Sequence, residues 1–119
     1  MKVIVAGSRT INDTAEVSKA IESSSIKITE IISGSARGVD RLAENYAAMK
    51  HIPFTAFPAD WDKYGKPAGA IRNDQMAKQA DALIAIWDGV SSGTKDMIKK
   101  MNKLGKPVFI YLVDNKNVR

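Results

Sequence analysis

The sequence predicts an α/β fold with three layers: a Rossmann-like, five-stranded parallel sheet in the order 3-2-1-4-5. Two observations carry this. Apolar, β-branched runs alternate with stretches of helical periodicity along the 119 residues, the pattern of a parallel sheet covered by helices on both faces. Three glycine-bearing polar loops also each follow directly on an apolar run. They are Gly7-Ser8-Arg9-Thr10, Ser33-Gly34-Ser35-Ala36-Arg37-Gly38 and Asp88-Gly89-Val90-Ser91-Ser92-Gly93-Thr94.

The elements follow in order. Val3–Ala6 is the first strand. Asp13-Thr14-Ala15-Glu16 reads as a capping box, and Val17, Ala20 and Ile21 continue a helix that Ser23-Ser24-Ser25 breaks. Thr29–Ser33 is the second strand. Val39, Leu42, Ala43, Tyr46 and Ala47 mark an amphipathic helix. Pro53–Phe57 is the third strand, and residues 58–67 form one long connection, of the length that usually serves a site. A helix over roughly 68–80 turns Ile71, Met76 and Ala80 inward. Ala82–Trp87 is the fourth strand. Met97, Ile98, Met101 and Leu104 mark the last helix, stopped by Gly105 and Pro107. Val108–Leu112 is the fifth strand, and the polar tail Asp114–Arg119 reads as a fraying end. No linker or repeat divides the chain, so residues 1–119 read as a single domain.

Bulk composition narrows the function. There is no cysteine and one histidine, His51, so thiol chemistry is excluded, a metal centre is not expected, and no cofactor is called for. His51 reads as an exposed helix-exit residue far from the strands' carboxyl edge. No apolar run approaches the ~20 residues that cross a bilayer, and the N-terminus enters a strand without a signal-peptide pattern; both point to a cytoplasmic protein. The net charge of +5 lies mainly in the second half, with Lys95, Lys99, Lys100, Lys103 and Lys106 on or just after the last helix. These lysines read as a solvated face or as an attraction for nucleic acid. Met97, Met101 and Tyr46 are candidates for an apolar surface that pairs two or more copies.

In the order 3-2-1-4-5, the strands bearing the glycine loops are neighbours, and ligands of open α/β sheets bind beyond the carboxyl ends near the reversal of strand order. The loops aim backbone N–H groups and positive helix ends at one place, which suits a phosphate. Gly7 would let a ligand approach the backbone, with Ser8 offering a hydroxyl and Arg9 a bidentate guanidinium. Gly34, Ser35 and Gly38 would wrap an anion before the second helix. Asp40 suits either the first helical turn or acceptance from a ribose hydroxyl. Ser92, Gly93 and Thr94 open the last helix as a second anion pocket, or as a plain cap. Arg72 and Asn73 reach over the same edge. Trp61 and Tyr64 could stack on a base or anchor their own loop. Asp96 and Asp74 are the acid/base candidates if hydrolysis occurs. The glycines do not spell the dinucleotide fingerprint, and no acidic residue ends the second strand, which argues against a dehydrogenase. A Walker loop is absent as well.

These residues resemble the SMF/DprA–LOG (SLOG) superfamily. The resemblance rests on Val5-Ala6-Gly7-Ser8-Arg9, on Ser33–Asp40, on Ile71-Arg72-Asn73 and on Ser92-Gly93-Thr94. The run from Phe57 to Asn73 is similar to the small, single-domain YspA-like branch, met in phage and bacterial settings. The resemblance implies a nucleotide-derived ligand that is sensed or sequestered. LOG-type relatives imply an alternative, an N-glycosidic phosphoribohydrolase, whose catalytic glutamate is replaced here by Met97 with Asp96 one residue away. DprA-type relatives imply single-stranded DNA binding.

Overall fold

The computed structural model describes residues 1–113; the tail Asp114–Arg119 lies outside the described residues. Five strands form one parallel sheet: β1 (Lys2–Gly7), β2 (Glu30–Ser33), β3 (Phe54–Ala56), β4 (Ala82–Trp87) and β5 (Val108–Leu112), in the order β3-β2-β1-β4-β5. Helices α1 (Thr14–Ser23) and α2 (Val39–Met49) cover one face, and α4 (Ala68–Gln79) and α5 (Ser92–Lys103) cover the other. The architecture is therefore the expected three-layer, Rossmann-like one.

Side-chain alternation explains how one sheet makes two cores. Val3 and Val5 of β1 and Ile84 and Ile86 of β4 face α1 and α2. Ile4, Leu83 and Ala85 face Met76, Ala77, Met97 and Met101 of α4 and α5. Strand β4 is buried from Ala82 to Ile86, so its sequence is a continuous apolar run rather than an alternating one. Each large aliphatic so placed contributes about 1.5–3 kcal/mol relative to exposure. Met97 and Met101 are 1% and 0% exposed, and Tyr46 packs partly against the α1–α2 side. For the two methionines the expected pairing surface is thus corrected: they serve the protein's own interior.

The connection over residues 58–67 carries a short helix of its own. Asp60 accepts from the Lys63 N–H at 3.1 Å and caps a short helix, α3 (Trp61–Tyr64), which Gly65 ends at φ 65°. Asp13 caps α1 as expected, accepting from the Ala15 N–H at 2.9 Å. Two of the five lysines on and after α5 have structural partners. Lys106 donates to the carbonyls of Ala77 and Ala80, both at 2.7 Å, and closes the C-terminus of α4. Lys100 donates to Asp96 and to the Ala70 carbonyl. Lys95, Lys99 and Lys103 are exposed, as is His51 beyond the end of α2. Among the described residues no helix is long and apolar enough to cross a membrane.

Candidate anion-binding cleft

Strand order reverses between β1 and β4, because the chain winds outward from β1 on one face and returns to β4 on the other. At the carboxyl ends of these two strands lies a cleft of about 670 Å³, the position the topology dictates for a ligand. Ser8, Arg9, Trp61, Arg72, Asn73 and the run Ser91–Thr94 line it, with Met76 and Met97 at its apolar base.

The β4–α5 loop is held from within. The Asp88 carboxylate accepts the backbone N–H groups of Val90 and Ser91 at 2.9 and 2.8 Å, and the Ser91 hydroxyl at 2.8 Å. Ser91 Oγ also lies 3.0 Å from the Oγ of Ser8, which accepts the Asp88 N–H at 3.2 Å. Partial burial raises the affinity of Asp88 for a proton. The hydrogen bonds from Ser91, Val90 and Ser8 outweigh it and hold the carboxyl below its ordinary range. Ser91 is the N-cap residue of α5, yet its side chain caps no helical N–H. A Cβ added at Gly93 would meet nothing within 4 Å. The first turn of α5 therefore lines the cleft with open space at the side-chain position of Gly93.

The opposite wall is charged. Arg9 is exposed. Arg72 donates from one guanidinium nitrogen to the Gly34 carbonyl at 2.7 Å and from another to Asn73 Oδ1 at 2.9 Å. Burial lowers the pKa of Arg72, and Asp40 opposes that shift; a guanidinium stays protonated regardless. Asn73 passes its amide on to Asp96 at 3.0 Å and to the Gly93 carbonyl at 3.3 Å, and Asp96 takes Lys100 at 2.9 Å. Asp40 is 6% exposed. Burial pushes its carboxyl up to about 6, against the pull of the Ala36 N–H and of Arg72.

The loop after β2 differs from expectation. The Ser35 N–H donates to Ser33 Oγ at 3.1 Å and the Ala36 N–H to the Asp40 carboxylate at 3.3 Å. The Ser35 hydroxyl donates to Glu44 at 2.7 Å, and Ser35 itself sits at φ 57°. These N–H groups are spent on the protein. Of the loop only Ala36 lines the cleft, together with Asp40 behind it. Its glycines are required by packing. Gly38 has φ 75°, and a Cβ there would meet the carbonyls of Ser8 and Arg9; one at Gly34 would meet Arg72 and Asp40. Gly7 does line the cleft, but a Cβ on it would strike the Ile86 carbonyl and Val39. Its absent side chain makes room for β4 and α2.

The structure thus brings together Gly7, Ser8, Arg9, Asp40, Arg72, Asn73, Ser92, Gly93, Thr94, Asp96 and Trp61 around one cleft, and leaves Gly34, Ser35 and Gly38 behind its wall. Asp74 is exposed and paired with Lys78 at 3.0 Å, outside the cleft. Tyr64 also lies outside, with Lys63 over its ring at 5.1 Å. Sequence reasoning overlooked Asp88 and the small residues Gly69 and Ala70 of α4, which line the rim near Trp61. The signal for Asp88 was present, since an aspartate followed by glycine and serine favours a turn closed by its own side chain. Among the described residues no group of three potential ligands could hold a metal ion.

Known proteins place this arrangement in a family. The protein is 33% identical over 116 residues to the Gene 61 protein of Mycobacterium phage D29, covering 90% of this chain and 93% of that protein. Its fold is similar to DNA processing protein A (DprA) from Streptococcus pneumoniae, with a TM-score of 0.77 at 19% identity over 98% of this chain. The match takes in 52% of the DprA chain, so this protein spans about half of that length. The family model for "YspA, cpYpsA-related SLOG family" matches residues 1–64. With the first glycine loop, Ser33–Asp40 and the short helix after Asp60 all inside that match, the chain belongs to the YspA, cpYpsA-related SLOG family.

Proposed function

We propose that the cleft binds a nucleotide-derived, phosphate-bearing ligand, and that the protein senses or sequesters it. One observation carries this: a helix N-terminus left without a side-chain cap, although a serine stands at the cap position, faces a cleft that also holds Arg9 and Arg72. Uncapped first-turn N–H groups and the helix dipole favour an anion by about 0.3–2 kcal/mol. Each charge-assisted hydrogen bond adds roughly 1.5–3 kcal/mol. Trp61, 52% exposed at the rim, offers a flat apolar face to a base.

A second reading, N-glycosidic hydrolysis, draws on the position of Asp96 within the cleft. The test separates the two. A thermal-shift screen of nucleoside phosphates, cyclic nucleotides and ADP-ribose derivatives is followed by chromatography of the incubated compound. A compound at a hundred times its dissociation constant stabilises the fold by roughly 2.7 kcal/mol. Intact compound with a large shift supports a binding module. Released free base supports hydrolysis, and Asp96→Asn should then abolish it. Single-stranded DNA that binds with steep salt dependence, while no mononucleotide shifts the melt, would move the assignment to nucleic acid.

A further inference from the structure

We propose that Asp88 is a positioning residue that keeps the N-terminus of α5 open by holding the Ser91 hydroxyl away from it. The inference rests on the phosphate-binding reading above and names what maintains that site. A serine at an N-cap ordinarily accepts from the second or third helical N–H, here Gly93 or Thr94. Ser91 is instead drawn into a closed chain: its hydroxyl and its N–H both go to Asp88, its Oγ meets Ser8 Oγ, and Ser8 Oγ takes the Asp88 N–H. Ser8 is 1% exposed, so the anchor of this chain is fixed in the β1 end.

A separate observation shows that the vacated end faces a place for a ligand. Thr94 is 4% exposed and lines the cleft, and no hydrogen bond to another described residue engages its hydroxyl. No buried polar side-chain atom among the described residues lacks a partner, so this hydroxyl is not sealed away, and the cleft is what its residue lines. Beside it, the Cβ position of Gly93 is empty to 4 Å. A protein that needed only a stable α5 would let Ser91 cap it.

The experiment compares the parent with Asp88→Ala, Ser91→Ala and the double variant. Amide hydrogen exchange is followed by NMR without ligand, and inorganic phosphate is titrated separately. In the parent the Gly93 and Thr94 amides exchange fast. Asp88→Ala frees Ser91 to cap, slows exchange at one of these amides and weakens phosphate about five-fold, the worth of a typical cap. The double variant, lacking the competing hydroxyl, recovers both fast exchange and parental affinity. Loop collapse would not be rescued in this way. Unchanged exchange in Asp88→Ala, or a double variant as weak as the single one, overturns the proposal. Phosphate that fails to bind the parent while exchange follows the expected pattern overturns the reading of the cleft and leaves the Asp88–Ser91 device standing. If Asp88→Ala does not fold, Asp88→Ser takes its place: its one hydroxyl oxygen can still accept from the loop N–H groups, and it has no second oxygen to hold the Ser91 hydroxyl.

Discussion

Gly34–Gly38, after β2, and Gly89–Gly93, after β4, both lead from a buried strand into a helix through serines and glycines, and each is followed or led by one aspartate. Asp40 comes after its loop, inside the first turn of α2, and its carboxylate takes the Ala36 N–H. Asp88 comes before its loop, takes the N–H groups of Val90 and Ser91, and leaves those further on free of it. The first aspartate stands where a bound anion would; the second clears the ground for one. The position of the acceptor, rather than the number of glycines, decides whether a strand–loop–helix passage is available to a ligand.

The widest gap between the two loops should appear on methylation of their glycines. Gly38→Ala forces a side chain into φ 75° and against the Ser8 and Arg9 carbonyls, at a cost of about 2–4 kcal/mol in urea unfolding. Gly93→Ala meets open space and should gain up to about 1 kcal/mol from helix propensity. Its methyl would nevertheless stand in the cleft lining and hinder approach to the first-turn N–H groups, so phosphate affinity should fall, by roughly tenfold if one charged hydrogen bond is lost. Equal stability losses at the two sites would erase the distinction between the loops.

Acid titration sharpens it further. Asp40 has a folded value of about 6 against an ordinary 3.8, so between these values the folded state holds more protons than the unfolded one. Stability is then greatest below pH 4 with respect to this group and falls as pH rises through 6, by about 2–3 kcal/mol in total. Asp40→Asn should flatten that slope in urea unfolding between pH 4 and 7. A slope that persists in Asp40→Asn would place its origin elsewhere. Asp88 lies below its ordinary range, so its contribution has the opposite sign: present above pH 4 and lost on further acidification.

The arginines give the smallest of the three contrasts. Arg72 bridges α4 to the Gly34 carbonyl beside Asp40, and Arg72→Ala should cost about 1–3 kcal/mol of stability by stranding these acceptors. Arg9 is exposed, and Arg9→Ala should stay within about 0.5 kcal/mol of the parent in stability while weakening phosphate. Isothermal titration alongside thermal melts distinguishes the two. Loss of affinity on removing Arg72 can therefore come through a disturbed wall, whereas the same loss at Arg9 with stability intact reports the charge it brings to the cleft.

Much of this molecule could be read from its letters. Strand order, both flanking layers and the edge that carries the cleft follow from β-branched runs such as Val3–Ala6 and Ala82–Trp87, because burial on two faces leaves an unbroken apolar signature. Which backbone groups stay free did not follow. That depends on where the Asp40 and Asp88 carboxylates come to rest, a matter of a few ångströms that spacing alone does not encode. The inward-facing methionines of α5 were ambiguous for a similar reason: an apolar stripe looks the same whether it meets the protein's own sheet or a second copy. Asp74 and Asp96 are equivalent on paper, yet one pairs with Lys78 in solvent and the other lines the cleft.

The chain has two tryptophans; one lines the cleft and the other is tied to the cap residue of α5. Trp61 lies at the rim with its ring edge near Gly69, and the Trp87 indole N–H donates to the Ser91 carbonyl at 3.1 Å. Ultraviolet emission from the unlabelled protein is therefore generated almost entirely at the rim of the cleft and behind the cap of α5. Replacing Trp61 by phenylalanine would leave a single emitter tethered to the helix cap, so that occupancy by an optically silent anion could be followed as a change of colour or lifetime in real time.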